Sequence, residues 1–128
     1  MTRKTILVVD DEPQIRSLVK SVLARRHHRI LEASDGVEAL GIVERPKVII
    51  DLLLTDIVMP GMDGIELARR TASQSPNVRV IYMSAKCEAE AVRLDMDTRG
   101  FGFVRKPFDI DELDDQVSQL LAKAPRHC

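Results

Sequence analysis

The sequence predicts an α/β fold, a doubly wound five-stranded parallel sheet accompanied by five helices. Three observations lead there. Five short apolar runs alternate with five stretches of helical periodicity, the order that builds a parallel sheet covered on both faces. The connections between them are short, as right-handed crossover units require. No linker, internal repeat or low-complexity stretch divides the 128 residues, so one domain over residues 1–128, with its core from about 4 to 123, is the expectation.

Each element has a local reason. The strand candidates are Thr5 to Val9, Arg29 to Ala33, Val48 to Thr55, Arg79 to Met83 and Gly102 to Val104. They are short, apolar and bounded by turn formers. The first helix has Pro13 near its start, where a missing N–H costs nothing, then Ile15, Leu18, Val19, Val22 and Leu23 at helical spacing. A second runs from about Gly36 to Glu44 and stops near Pro46. The third follows Gly64 with Ile65, Leu67 and Ala68, and Ser73-Gln74-Ser75-Pro76 closes it. A charge-rich fourth helix spans about Lys86 to Asp97, with Ala89, Val92, Leu94 and Met96 as its apolar members. The last begins after Asp109 and sets Leu113, Val117, Leu120 and Leu121 on one face.

Composition removes several function classes. Hydrophobic residues make up 45% and charged residues 30% of the chain, ordinary for a soluble globular protein and inconsistent with disorder. A net charge of -1 supplies no bulk attraction to nucleic acid or to an anionic membrane. No apolar run reaches the ~18 residues a membrane helix needs. Met1-Thr2-Arg3-Lys4 leads directly into a strand pattern rather than a signal-peptide core. The expected compartment is the cytosol. Cys87 and Cys128 are the two cysteines, read as reduced thiols rather than a disulfide framework or metal cluster.

In a doubly wound sheet the ligand site lies outside the carboxyl ends of the strands. Asp10, Asp11, Asp56, Ser84 and Lys106 all fall at or just past the carboxyl end of a predicted strand. Three carboxylates that close repel one another, and a hard divalent cation resolves the conflict; Mg2+ takes one or two carboxylates and keeps positions for water and phosphate oxygens. A carboxylate is also a competent nucleophile for phosphoryl transfer. That step needs cationic charge on the transferred oxygens more than it needs an acid–base pair. Lys106 supplies an ammonium and Ser84 a hydroxyl for those oxygens.

The motifs Ile6-Leu7-Val8-Val9-Asp10-Asp11-Glu12, Asp51 to Gly64, Met83-Ser84-Ala85 and Lys106-Pro107-Phe108 together resemble the receiver domain of two-component response regulators, of the single-domain chemotaxis-regulator kind. The likeness covers about residues 4 to 123. It implies a flavodoxin-like strand order, 2-1-3-4-5. It implies that Asp56 accepts a phosphoryl group from a histidine kinase or histidine phosphotransfer protein. Asp11, Asp56 and the Val58 carbonyl would bind Mg2+, Asp10 would assist through water, and Ser84 and Lys106 would hold the phosphoryl group. Phe103 would be the switch aromatic that turns inward with Ser84, altering the surface of the fourth helix, fifth strand and fifth helix. The family also implies a cis Lys106-Pro107 bond. Because the chain ends at Cys128, the message would pass to a downstream protein target by contact, with no direct nucleic-acid or membrane binding and no enzymatic turnover beyond the domain's own phosphorylation and dephosphorylation.

Some positions depart from the family pattern. Thr98-Arg99-Gly100-Phe101-Gly102-Phe103 replaces its usual Gly-Ala before the fifth strand. Val58 and Lys86 occupy positions where receivers tune phosphate lifetime. Relatives that dimerise around winged-helix outputs commonly carry Arg ten positions after the site lysine, where this chain has Gln116. Simpler readings compete: Asp10-Asp11-Glu12 as a helix N-cap, Asp51 and Asp63 as capping residues, Ser84 as a turn residue, and Phe101 and Phe103 as core aromatics. Arg25-Arg26-His27-His28-Arg29 reads as the cations ordinary at a helix C-terminus, with no partner making either histidine a ligand. Other classes share the architecture. A flavodoxin-like cofactor binder would follow its first strand with a Gly, Ser or Thr-rich phosphate loop, and a phosphohydrolase with an aspartyl nucleophile would space its acids two apart. A phosphorylation-independent receiver-like interaction module is the remaining alternative; its usual sign is loss of a site residue, and none is lost.

Overall fold

The computed structural model describes residues 3–85 and 101–122, with the backbone alone at Phe101. β1 (Thr5–Val9), β2 (Arg29–Ala33), β3 (Leu52–Asp56), β4 (Arg79–Ser84) and β5 (Phe101–Arg105) form one parallel sheet in the order β2-β1-β3-β4-β5. Among the described residues the α-helices are α1 (Pro13–Leu23), α2 (Gly36–Val43), α3 (Gly64–Gln74) and α4 (Ile110–Ala122). The predicted helix from Lys86 to Asp97 lies outside the described residues, as do Cys87 and Cys128.

Alternation of side chains along each strand divides the core in two. Ile6 and Val8 of β1 join Leu52, Leu54, Ile81, Met83 and Val104 against Val19, Val22 and Leu23 of α1 and Leu113, Val117 and Leu120 of α4. Leu7 and Val9 point the other way, with Leu53, Val80 and Tyr82, onto α2 and α3. β3 and β4 are buried along their whole length, which is why their sequences read as continuous apolar runs rather than alternating ones.

Helix starts are set by carboxylates. Asp35 accepts from Glu38 N and Asp63 from Glu66 N, each at 2.8 Å, and Asp109 accepts from Asp111 N at 2.7 Å, satisfying donors a helix N-terminus leaves open. Asp63 thus does what its cap reading says. At α1 the N-cap is Glu12 with no side-chain cap bond, so Asp10 and Asp11 are not there to cap that helix.

One expectation changes. The third strand begins at Leu52, not Val48, because the segment before it leaves the sheet: Ile49 is 70% exposed, while Asp51 Oδ2 accepts from Thr5 N at 2.8 Å. The cationic stretch sits at the helical C-terminus as read, and two of its members are partnered. His28 Nδ1 accepts from Lys4 N at 3.4 Å; burial, then Arg26 and Lys4, pushes its pKa down. Arg26 grips Asp114 of α4 with two bonds, of 2.7 and 3.1 Å.

Candidate functional site

Strand register brings the polar residues to one end. Val9 pairs with Thr55, Asp56 with Met83, and Ser84 with Arg105. The residues at or just after these positions, Asp10, Asp11, Asp56, Ser84 and Lys106, therefore share one edge of the molecule. A cleft of about 270 Å³ opens there, lined by Asp11, Glu12, Asp56, Val58, Ser84, Ala85 and Lys106.

Each acid is held differently. Asp10 is 0% exposed; its Oδ1 accepts from Glu12 N at 2.9 Å and its Oδ2 from Lys106 Nζ at 2.6 Å. Arg16 Nη1 donates to its backbone carbonyl at 2.6 Å. Asp10 therefore faces the lysine and does not line the cleft. Asp11 is exposed and does line it. Asp56 is buried at the cleft floor, with Oδ1 accepting from Val58 N at 3.3 Å and Oδ2 from Lys106 Nζ at 3.3 Å. Lys106 is placed by its own backbone, whose N–H donates to Ser84 O at 2.8 Å, and the Lys106-Pro107 bond is cis, as the family resemblance implies.

Burial pushes the Asp56 carboxyl above the usual carboxylate range, against the pull of Lys106 and with the added push of Asp10. For Lys106, burial is the largest single influence and favours the neutral amine, yet its bonds to Asp10 and the charges of Asp10 and Asp56 raise its pKa above the ordinary lysine value. Carboxylate oxygens of Asp10, Asp11 and Asp56 all lie within 4.8 Å of one another. Three carboxylates against one ammonium leave two negative charges, and the donors are all oxygen. That set fits a hard divalent cation such as Mg2+.

Ser84 is buried at 1% exposure and lines the cleft. Val58 lines the cleft, donates its backbone N–H to Asp56, and is 53% exposed as a residue. Phe103 does not line the cleft; it is half-buried and packs on the α2–α3 side of the sheet, paired in register with Tyr82. Three features escape the sequence reading. Glu12 borders the cleft, its Oε1 3.6 Å from Lys106 Nζ; Arg16 braces the Asp10 carbonyl; and Gly64 packs so close that a Cβ would overlap the Asp56 carbonyl oxygen, with its carbon at 3.0 Å. The Asp63-Gly64 pair at a helix start is the one hint of this close approach.

Residues 6–118 match the response regulator receiver domain family, and the chain belongs to it. It is similar to sporulation initiation phosphotransferase F of Bacillus subtilis (strain 168), 39% identical over 123 residues that cover 94% of this chain and 96% of that protein. It is also similar to sensor kinase CckA of Brucella abortus (strain 2308), 38% identical over 120 residues, 93% of this chain and 13% of that protein. Among solved structures, response regulator TrrA of Thermotoga maritima in complex with Mg2+-BeF aligns with a TM-score of 0.75 at 34% identity, covering 91% of this chain and 98% of that one. This is a receiver domain of two-component response regulators, and receiver domains are signalling phosphoacceptors. No helix among the described residues is long and apolar enough to cross a membrane.

Proposed function

We propose that Asp56 is the phosphoacceptor and that this domain takes a phosphoryl group from a phosphohistidine on a partner histidine kinase or histidine phosphotransfer protein. One observation carries the choice among the acids: Asp56 alone both lines the cleft and has its two oxygens held, by Val58 N and Lys106 Nζ. Asp10 is held but does not line the cleft, and Asp11 lines it while standing exposed.

A carboxylate oxygen of Asp56 attacks phosphorus, a P–O bond forms, and the P–N bond to the donor imidazole breaks. The electron pair of that bond goes to the imidazole nitrogen while the other ring nitrogen keeps its proton. No proton leaves Asp56, so no general base is needed. Lys106, between Asp10 and Asp56, donates to a transferred oxygen, and the Ser84 hydroxyl donates to another. Asp11, Asp56 and the Val58 carbonyl would hold Mg2+, with Asp10 acting through water, and the ion supplies positive charge to the transferred oxygens.

Phosphorylation adds charge and acceptor oxygens at the end of β3, draws in Ser84 and turns Phe103 inward. The surface formed by the predicted fourth helix, β5 and α4 changes for a downstream protein target. On this reading residues 1–128 form one cytoplasmic receiver domain that signals by protein contact, without nucleic-acid or membrane binding, and assists only its own phosphorylation and dephosphorylation. Incubation with Mg2+ and acetyl phosphate should add one phosphoryl group to the intact mass, and Asp56→Asn should add none. An unphosphorylated wild type, or a phosphorylated Asp56→Asn, overturns the assignment.

A further inference from the structure

β5 is an edge strand: β4 pairs with one side of it, and among the described residues no other strand pairs with the opposite side. The open side is gripped by a side chain. Gln116 of α4 donates from Nε2 to the backbone carbonyl of Phe103 at 2.9 Å, and the same nitrogen reaches Glu112 Oε1 at 3.3 Å. Two acceptors on one nitrogen fix which end of the carboxamide is which. The other end is equally constrained. Gln116 Oε1 is buried with no hydrogen-bond partner among the described residues and rests on Gly102, where a Cβ would overlap it and would also stand 3.4 Å from Gln116 Cδ and 3.3 Å from Ile81 Cγ1.

Gly102 thus serves as a socket for a carboxamide that any side chain at this position would displace. The cost of burying Oε1 without a conventional partner is met only if the bond at Nε2 is kept. Resting on the reading of Phe103 as the switch aromatic, we propose that Gln116 is a positioning residue that latches α4 to the peptide of Phe103. The helix and the switch residue then move as one unit. Leu113, Val117 and Val104 share the apolar contact between α4 and β5, but such packing is non-directional. The Gln116 bond grips the peptide group of Phe103 itself.

Two variants break the latch by independent routes. Gln116→Met removes the donor while keeping the side-chain length, and Gly102→Ala fills the socket while leaving Gln116 in place. NMR of the uniformly labelled chain provides both readouts. In unphosphorylated wild type, a scalar coupling through the hydrogen bond should be seen between Gln116 Nε2 and the Phe103 carbonyl carbon, and it should vanish in both variants. After Mg2+ and acetyl phosphate, wild type should show amide shifts along β5 and on the outer face of α4 at Asp111, Asp115 and Gln119. Both variants should take up the same one phosphoryl group, yet their α4 shifts should fall to less than half while those beside Asp56 remain. A variant that lacks the coupling and keeps full α4 shifts overturns the latch. A wild type that takes up no phosphoryl group overturns the reading beneath it instead, and the coupling measurement still reports whether the Gln116 bond exists. Should Gly102→Ala fail to fold, Gln116→Met carries the same test.

Discussion

Lys106 Nζ lies 2.6 Å from Asp10 Oδ2, closer than the 3.3 Å that separates it from Asp56 Oδ2. The lysine is anchored on a carboxylate outside the cleft and leans toward the one inside it. That arrangement leaves Asp56 the more weakly held partner; on the proposed reading it is the one available to an incoming phosphorus, with the ammonium within reach of the oxygens that arrive with it. Lys106→Met should strand a fully buried carboxylate at Asp10 and destabilise the fold by about 3 kcal/mol, as breaking one side of a buried pair does. Because the Lys106 pKa is raised, its contribution is complete below the unfolded lysine value of about 10.4 and is lost only as pH rises through the folded value. Urea unfolding at pH 7 checks this. Adding Asp10→Asn to Lys106→Met should recover part of the loss, and a Lys106→Met as stable as wild type would show that the pair contributes nothing.

Asp56 has the opposite sign. Burial raises its pKa, so the folded state holds a proton more tightly than the unfolded state, and stability falls as pH rises from the unfolded carboxyl value of about 3.9 through the folded one. Above that window the folded protein carries the full penalty of a buried charge. Asp56→Asn should therefore be more stable than wild type at pH 7, with the advantage shrinking toward pH 3. Melting curves of both proteins across that range would show a pH-independent difference if this reading were wrong.

Most of the fold was legible because the central strands are buried on both faces: β3 and β4 leave no exposed position, and short apolar runs ending in Asp56 or Ser84 are what the middle of a parallel sheet requires. The acids and Lys106 were legible because each sits beside a strand end, which sequence marks well. Other features depend on which surfaces meet. Ile49 reads as strand but stands exposed, since Asp51 is tied to Thr5 N and the sheet begins only at Leu52. The brace from Arg16 to the Asp10 carbonyl spans six residues through a turn and leaves no periodic trace. Gln116 could be noted as a departure from the family, but its bond to Phe103 depends on the helix lying over Gly102, which periodicity does not specify.

Two glycine substitutions should move stability in opposite directions. Gly41 lies in α2, and a Cβ added there would meet nothing within 4 Å, so Gly41→Ala should stabilise by roughly 0.5–1 kcal/mol through helix propensity and a less flexible unfolded chain. Gly64→Ala instead drives a methyl into the Asp56 carbonyl, a backbone atom that yields only by moving β3. It should destabilise by roughly 1–3 kcal/mol and slow phosphorylation by acetyl phosphate. Equal melting temperatures for the two variants would mean that α3 can withdraw from β3 without cost.

The metal reading predicts a crossing of stabilities. Without divalent cations, Asp11 adds a third negative charge within 4.8 Å of Asp10 and Asp56 and, being exposed, buries no surface worth keeping. Asp11→Ala should then be at least as stable as wild type in EDTA. Ligand binding to the folded state alone stabilises by about 2.7 kcal/mol at a hundredfold excess over Kd, so saturating Mg2+ should raise the wild-type melting temperature and leave Asp11→Ala nearly unmoved. The order of the two proteins should invert between EDTA and Mg2+. If both respond equally to Mg2+, the ion is held by a set of ligands that does not include Asp11; if neither responds, the acidic cluster is balanced by Lys106 alone.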